Sequence, residues 1–258
     1  MKKPPPARLH LLPAKAAPYT VIFRRKPTDW FHVLRWNTQI DTLEHGSWYA
    51  GTLYPKRADV SFDGEWMVFL AMDPGSNTFN RIARPPLLTP VAEVPADGTY
   101  RGGGYWESAS VLRPNGWFAY AKGRRKKVED GLPPNWALDV YGDEYGDELG
   151  DAGVLYRRLA RDGWHEGAAD EWWNRPTAAH PTLRMLHTGY KNGTMQFKFW
   201  LTEFPTLIPD MAEWACWDCL GQLLFANKGV VYKFGLDALA SGQPTTVIDL
   251  EHLAPPPV

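Results

Sequence analysis

Residues 58–71 read Ala58-Asp59-Val60-Ser61-Phe62-Asp63-Gly64-Glu65-Trp66-Met67-Val68-Phe69-Leu70-Ala71. The stretch predicts a short strand, a turn at Asp63-Gly64, and a second strand that is almost wholly apolar. Asp-Gly tolerates the positive φ angles of a tight hairpin. An unbroken apolar run such as Met67 to Ala71 implies a strand covered on both faces, as when sheets stack side by side.

The unit recurs in looser form. Residues 109–120 offer a strand, a turn at Pro114-Asn115-Gly116, and the run Trp117-Phe118-Ala119-Tyr120. Residues 154–159 lead to Asp162-Gly163-Trp164, and Trp214 to Asp218 lead through Leu220-Gly221 to Leu223-Leu224-Phe225-Ala226. A further turn at Lys228-Gly229 then opens Val230-Val231-Tyr232-Lys233-Phe234. Residues 19–24 and 30–36 also read as strands between turn residues. The turn glycines Gly64, Gly116, Gly163 and Gly221 recur at a period of roughly 50 residues, which marks repeated small sheets.

The fold class predicted is therefore all-β, a small β-propeller of about four or five blades, with a β-sandwich or irregular barrel as the alternative. The 13 Trp, 23 Gly and 23 Pro of the 258-residue chain suit short strands joined by turns. A chain of this length forms one β domain without difficulty. The expected division is a flexible Pro/Lys-rich arm over 1–18, a single β-rich domain over 19–254, and a proline tail over 255–258. A short helix is expected over 236–240.

Two segments, Val60 to Phe69 and Leu220 to Ala226, resemble the small residue, turn, glycine, apolar strand signature of TolB-like and Trp-Asp-repeat propellers. The usual Gly-His start is absent, and Trp217-Asp218 precedes its turn glycine. That resemblance implies an architecture and no activity. The segments Arg84-Pro85-Pro86-Leu87-Leu88-Thr89 and Gly102-Gly103-Gly104-Tyr105-Trp106 resemble a set of uncharacterised one-domain bacterial proteins encoded beside polymorphic, contact-dependent secreted toxins. What this second resemblance implies is an immunity protein that neutralises a cognate toxin.

Composition narrows the partners. A net charge of −1 leaves no basic surplus for neutralising phosphates, so nucleic acid is not expected. No apolar run of about 18 residues exists to cross a bilayer, so no membrane is expected either. Met1-Lys2-Lys3-Pro4-Pro5-Pro6 carries the charge of a signal peptide, but Arg8, His10, Pro13 and Lys15 interrupt any apolar run. The expected location is the cytoplasm. Cys216 and Cys219 form a lone Cys-x-x-Cys without the second ligand pair of a zinc site or the βαβ setting of a redox motif. They are expected to be inert buried thiols, with no metal and no cofactor.

The strongest local feature is the segment from Asp139 to Asp151, in which carboxylates alternate with glycine and tyrosine. It lacks the ligand spacing of a calcium loop. Tyr141, Asp143, Glu144, Tyr145, Asp147, Glu148 and Asp151 read as a recognition loop for a basic surface such as that of a nuclease, where charge would speed association and tyrosines would anchor it. A solvated loop without a partner has the same composition. Trp172 and Trp173 are adjacent, so in a strand they face opposite ways, and the exposed one becomes a candidate interface anchor. The basic run from Lys122 to Lys127 reads as a charged hairpin that guards a sheet edge.

No catalytic motif is found. His165-Glu166 lacks the second histidine of a zinc peptidase, and no Gly-x-Ser-x-Gly elbow exists. Glu107 beside Trp106 and Glu171 beside Trp172 would be the carboxylates of a sugar-processing site. The function expected is a non-enzymatic protein-binding module, an immunity protein that occludes a toxin's active site. The alternatives are a carbohydrate-binding or carbohydrate-active protein, or a scaffold in a larger assembly.

Overall fold

The computed structural model describes residues 5–96, 98–115, 137–138, 151–191 and 193–257. Among them the strands form five sheets in chain order. The first is an antiparallel meander of β1 (Arg8–Pro13), β2 (Tyr19–Arg25), β3 (Trp30–Asn37) and β4 (Thr42–Ala50). In the second, β5 (Thr52–Leu53) and β6 (Asp59–Val60) share one edge of β7 (Met67–Met72), which continues to β8 (Thr78–Ala83) and β9 (Pro90–Pro95). A 3-10 turn, Pro55–Arg57, separates β5 from β6.

The third sheet is small, with β10 (Gly104–Trp106), β11 (Val111–Pro114) and β12 (Ala137–Leu138). A helix, α1 (Ala152–Arg161), follows it. The fourth sheet runs β13 (Trp164–Glu166), β14 (Glu171–Asn174), β15 (Leu183–Lys191) and β16 (Thr194–Leu201). The fifth runs β17 (Trp214–Trp217), β18 (Leu223–Asn227), β19 (Val230–Phe234) and β20 (Thr246–Asp249), with α2 (Leu236–Leu239) before its last strand.

The arrangement is a small β-propeller. The four sheets of four or more strands are its full blades, and the three-stranded sheet lies between the second and the fourth in the chain. Side-chain alternation shows how the sheets stack. Ile22 and Leu34 of the first sheet pack with residues of the fifth, such as Leu224, while Val21, Phe23 and Val33 pack with Met67 and Phe69 of the second. On the opposite face of β7, Val68 packs with Trp106 and Leu112 of the third sheet. The apolar run that begins at Met67 is thus explained: consecutive residues face different neighbouring sheets, and both faces are dry. The outer strands β9 and β20 alternate between covered and exposed residues, as one-sided strands do.

The hairpin turn at Asp63-Gly64 is present, with Gly64 at φ +75° and its N–H donating to the Ser61 carbonyl at 2.9 Å. Two expectations are corrected. Residues 8–13 are not part of a flexible arm; they are β1, paired residue for residue with β2. Leu9, Leu11 and Leu12 are buried, and each such side chain contributes about 1.5–3 kcal/mol on burial, comparable to the backbone ordering cost of about 1–2 kcal/mol per residue. Residues 154–159 are not a strand but the middle of α1. Gly153, Val154, Leu155, Arg158 and Leu159 are its buried positions, and the three-to-four-residue spacing from Val154 and Leu155 to Arg158 and Leu159 is one that a helix puts on one side. Among the described residues no helix is long and apolar enough to cross a membrane.

Candidate functional site

A set of charged groups converges on α1, which contacts β10, β13 and the 3-10 turn Pro55–Arg57. Asp151 precedes α1, and its carboxylate accepts from Arg57 Nε at 3.0 Å rather than capping the helix's own N–H groups. Arg158 and Arg161 occupy the last turn, where positive charge complements the helix dipole. At roughly 1.5 Å per residue, the helix carries the backbone about 15 Å from the Arg57 end to the Arg161 end.

Arg161 is the most heavily bonded of these cations. It pairs with Asp59 of β6 through Nη1 and, at 3.2 Å, through Nη2, donates to the Trp106 carbonyl at 2.7 Å, and holds Asp162 at 2.8 and 3.0 Å. Asp59 is fully buried and also accepts the Trp106 N–H at 2.8 Å. Burial opposes the charge on Arg161, but Asp59 and Asp162 outweigh it and raise its pKa above the ordinary arginine value. One buried carboxylate therefore joins the second sheet, the third sheet and α1.

Arg158 is only 3% exposed. Its Nη1 donates to the Ala58 carbonyl and, at 3.4 Å, to that of Pro55, while its Nη2 lies 3.5 Å from His10 Nε2. Burial, then the charges of Arg158 and Lys56, hold the His10 pKa well below its usual range, so the ring is neutral and can accept from the guanidinium. His10 also lies against the indole of Trp214, with ring centroids 4.2 Å apart.

Beside the C-terminal end of α1 lies a cleft of about 450 Å³. Its walls come from the end of β1, the α1–β13 junction, the residues after β14, and β17 with the turn that follows. Leu159, Trp164, Trp214 and Trp217 give it apolar surface; Lys15, Arg158, Arg161 and Arg175 give it charge. Cys216 and Cys219 both line it. Cys216 is buried as expected, and burial followed by Asp218 pushes its thiol up; Cys219 is exposed, contrary to the expectation of two buried thiols. It sits in the turn after β17, beyond the strand's apolar end.

The residues singled out in the sequence fare differently. Tyr141, Asp143, Glu144, Tyr145, Asp147 and Glu148 lie outside the described residues, as does the basic run from Lys122 to Lys127. Asp151 is bound by Arg57, as above. Trp172 is core: it is buried and stacks on Tyr156 of α1 at 5.1 Å with an interplanar angle of 1°. Trp173 faces the other side of β14, half-buried and stacked on His165 at 4.3 Å. Glu107 pairs with Arg113 at 2.7 Å, and Glu171 pairs with Arg184.

Sequence reading missed Lys15, Arg158, Arg161 and Arg175. Lys15 fell in the supposed arm. The signal for the two helical arginines was present: Arg158 and Arg161 are three apart and continue the buried spacing of Val154 and Leu155.

No known protein family matches the chain, and no curated protein does. Among solved structures, the chain is similar to an uncharacterized protein from Listeria monocytogenes EGD-e, at 9% identity and a TM-score of 0.34. The match covers 90% of this chain and 63% of that one, so the chain spans under two thirds of its neighbour's length. A likeness at that level fixes neither fold nor activity.

Proposed function

We propose that the chain is a non-enzymatic protein-binding module. It acts as an immunity protein: a rigid propeller offers its charge-rich segments to a basic-surfaced toxin domain and covers the toxin's active site. The immunity role itself comes from the resemblance in Arg84–Thr89 and Gly102–Trp106.

The observation that supports a binding role is the anchorage around Arg57. This side chain is buried, holds Asp151 at one end, and donates to the carbonyls of Thr99 and Arg101 at the other. Gly103, at φ +77°, lies so close that a Cβ on it would come within 1.9 Å of the Arg57 carbonyl oxygen. Asn115 is in turn tied to Gly102 and Gly103 by reciprocal backbone bonds of 2.9 Å. Residues 115 and 151 bracket both the basic run and the acidic segment. Asp151 is thus held by the Arg57 guanidinium, and Asn115 by the glycines packed on the Arg57 backbone.

The test is a complex with the toxic domain encoded by the adjacent gene. Replacing Asp143, Glu144, Asp147 and Glu148 by alanine is expected to slow association by about tenfold or more at low salt, since charge mainly sets the on-rate. The salt dependence should weaken and the melting temperature should not change. Unaltered association kinetics, or no complex with that domain, would overturn the reading.

A further inference from the structure

We propose that the cleft beside the end of α1 binds a small aromatic oxyanion, a carboxylate or phosphate carried on a flat apolar ring. Three facts carry the inference. The first is room: about 450 Å³ is within the roughly 300–1,000 Å³ range of small-ligand pockets.

The second is charge. Of the lining cations, Lys15, Arg158 and Arg175 form no ion pair with a carboxylate among the described residues. Lys15 Nζ donates to the Arg161 carbonyl, Arg158 to the carbonyls of Ala58 and Pro55, and Arg175 to those of His180 and Ala178, at 2.8 and 2.6 Å. The carboxylates on the same walls are Asp162 and Asp218. Asp162 is taken by Arg161. Asp218 is held by the Thr38 hydroxyl at 2.6 Å, the N–H groups of Leu220 and Gln222 at 3.0 and 2.8 Å, and the Gln222 amide at 3.2 Å. Arg161 is also met by Asp59. The cleft is left with a positive surplus, and part of it is the buried guanidinium of Arg158. Burial lowers the Arg158 pKa although Asp59 and Asp162 oppose it, so those carboxylates offset the cost of burying its charge only in part, and an anion that enters adds to them.

The third fact is the apolar surface. Trp164, Trp214 and Trp217 line the cleft, and the Trp217 indole N–H is buried without a hydrogen-bond partner. Flat indole walls favour a flat ring, and the cationic groups fix its headgroup. The proposal does not depend on the immunity reading.

Cys219 supplies a local reporter. It lines the cleft and is exposed, whereas Cys216, the other cysteine of the chain, is buried. The rate of Cys219 alkylation by iodoacetamide would be measured on the full chain with phenyl phosphate, benzoate, inorganic phosphate and benzyl alcohol. The expected result is saturable slowing by about tenfold with phenyl phosphate or benzoate, and none with benzyl alcohol at the same concentration. Lys15 and Arg175 are exposed, so the double variant Lys15→Gln/Arg175→Gln should fold; it is expected to bind about tenfold more weakly at an unchanged melting temperature. Equal protection by benzyl alcohol would overturn the charge argument. Equal protection by inorganic phosphate would overturn the ring. No protection by any of the four would overturn the site.

Discussion

Arg24 Nε donates to the carbonyl oxygen of Leu250 at 2.6 Å, joining the chain's second strand to the segment that follows its last. The same fully buried guanidinium donates to the carbonyls of Lys26, Glu251 and Leu253 at 2.8, 3.1 and 2.5 Å. Glu251 answers by accepting the Ala7 N–H at 2.7 Å and pairing with Lys26. Burial opposes ionisation of Glu251, but these two donors outweigh it and hold its pKa below the usual carboxylate value. First and last blades are thus clasped by side chains while each keeps its own strands.

Arg24→Met should therefore cost about 3–5 kcal/mol, because it strips charged donors from several covered carbonyls at once. Urea denaturation would measure it. Deleting residues 250–257 removes the same contacts, so the two changes together should cost less than their sum. Strict additivity would show that Arg24 and the C-terminal segment act separately.

The Asp59–Arg161 pair makes a second prediction. Removing one partner of a buried ion pair leaves the other charge unmatched and costs about 3–5 kcal/mol, whereas replacing both with apolar groups is often nearly neutral. Arg161→Met alone should destabilise strongly, because it leaves the fully buried Asp59 without its counter-charge. Asp59→Leu with Arg161→Met should recover much of that loss. A double variant as unstable as the single would show that the Trp106 contacts, not the charge pair, are what matter.

How far the sequence could be read depends on how local the deciding physics is. β7 and β18 were legible because their own residues demand cover on both faces, and Gly64 and Gly221 because a positive φ is a local requirement. β1 was not, since His10 and Pro13 interrupt its leucines; His10 is buried only because Trp214, far along the chain, lies against it. α1 was hidden by charge on its buried side. Arg158 and Arg161 are tolerated there by partners 148 and 102 residues away. The cleft draws on Lys15, Arg158 and Arg175, which no spacing rule brings together. Of the residues expected to meet a partner, Trp172 turned inward because α1 supplied Tyr156 to stack on it.

His32 should make stability fall in mild acid. It is 2% exposed and stacked on Trp48 at 4.2 Å. Burial, then His45 and Arg24, lower its pKa to about 4. An unfolded histidine titrates near about 6.5, so between those values the unfolded chain binds a proton that the folded chain refuses. Stability is lost as pH drops through that window, and His10 adds in the same direction. His32→Phe keeps a ring in the stack and should flatten the fall in melting temperature from about pH 7 to about pH 5. An unchanged slope would assign the acid sensitivity elsewhere.

Glu213 should act with the opposite sign. Its carboxyl accepts the Lys228 N–H at 2.8 Å through Oε1, while Oε2 is buried without a partner. Burial raises its pKa to about 7, with the Lys228 bond opposing and Glu251 adding to the rise. The unfolded carboxyl loses its proton near about pH 4.3, so stability declines as pH climbs from there towards the folded value. Glu213→Gln keeps an acceptor oxygen for Lys228 and removes the titration. Its stability gain over the natural chain should be small at about pH 4.5 and should grow up to about pH 8, read from urea midpoints at each pH. A gain of equal size at both ends would mean that Gln packs better there, and that the buried carboxyl is not the source of the pH dependence.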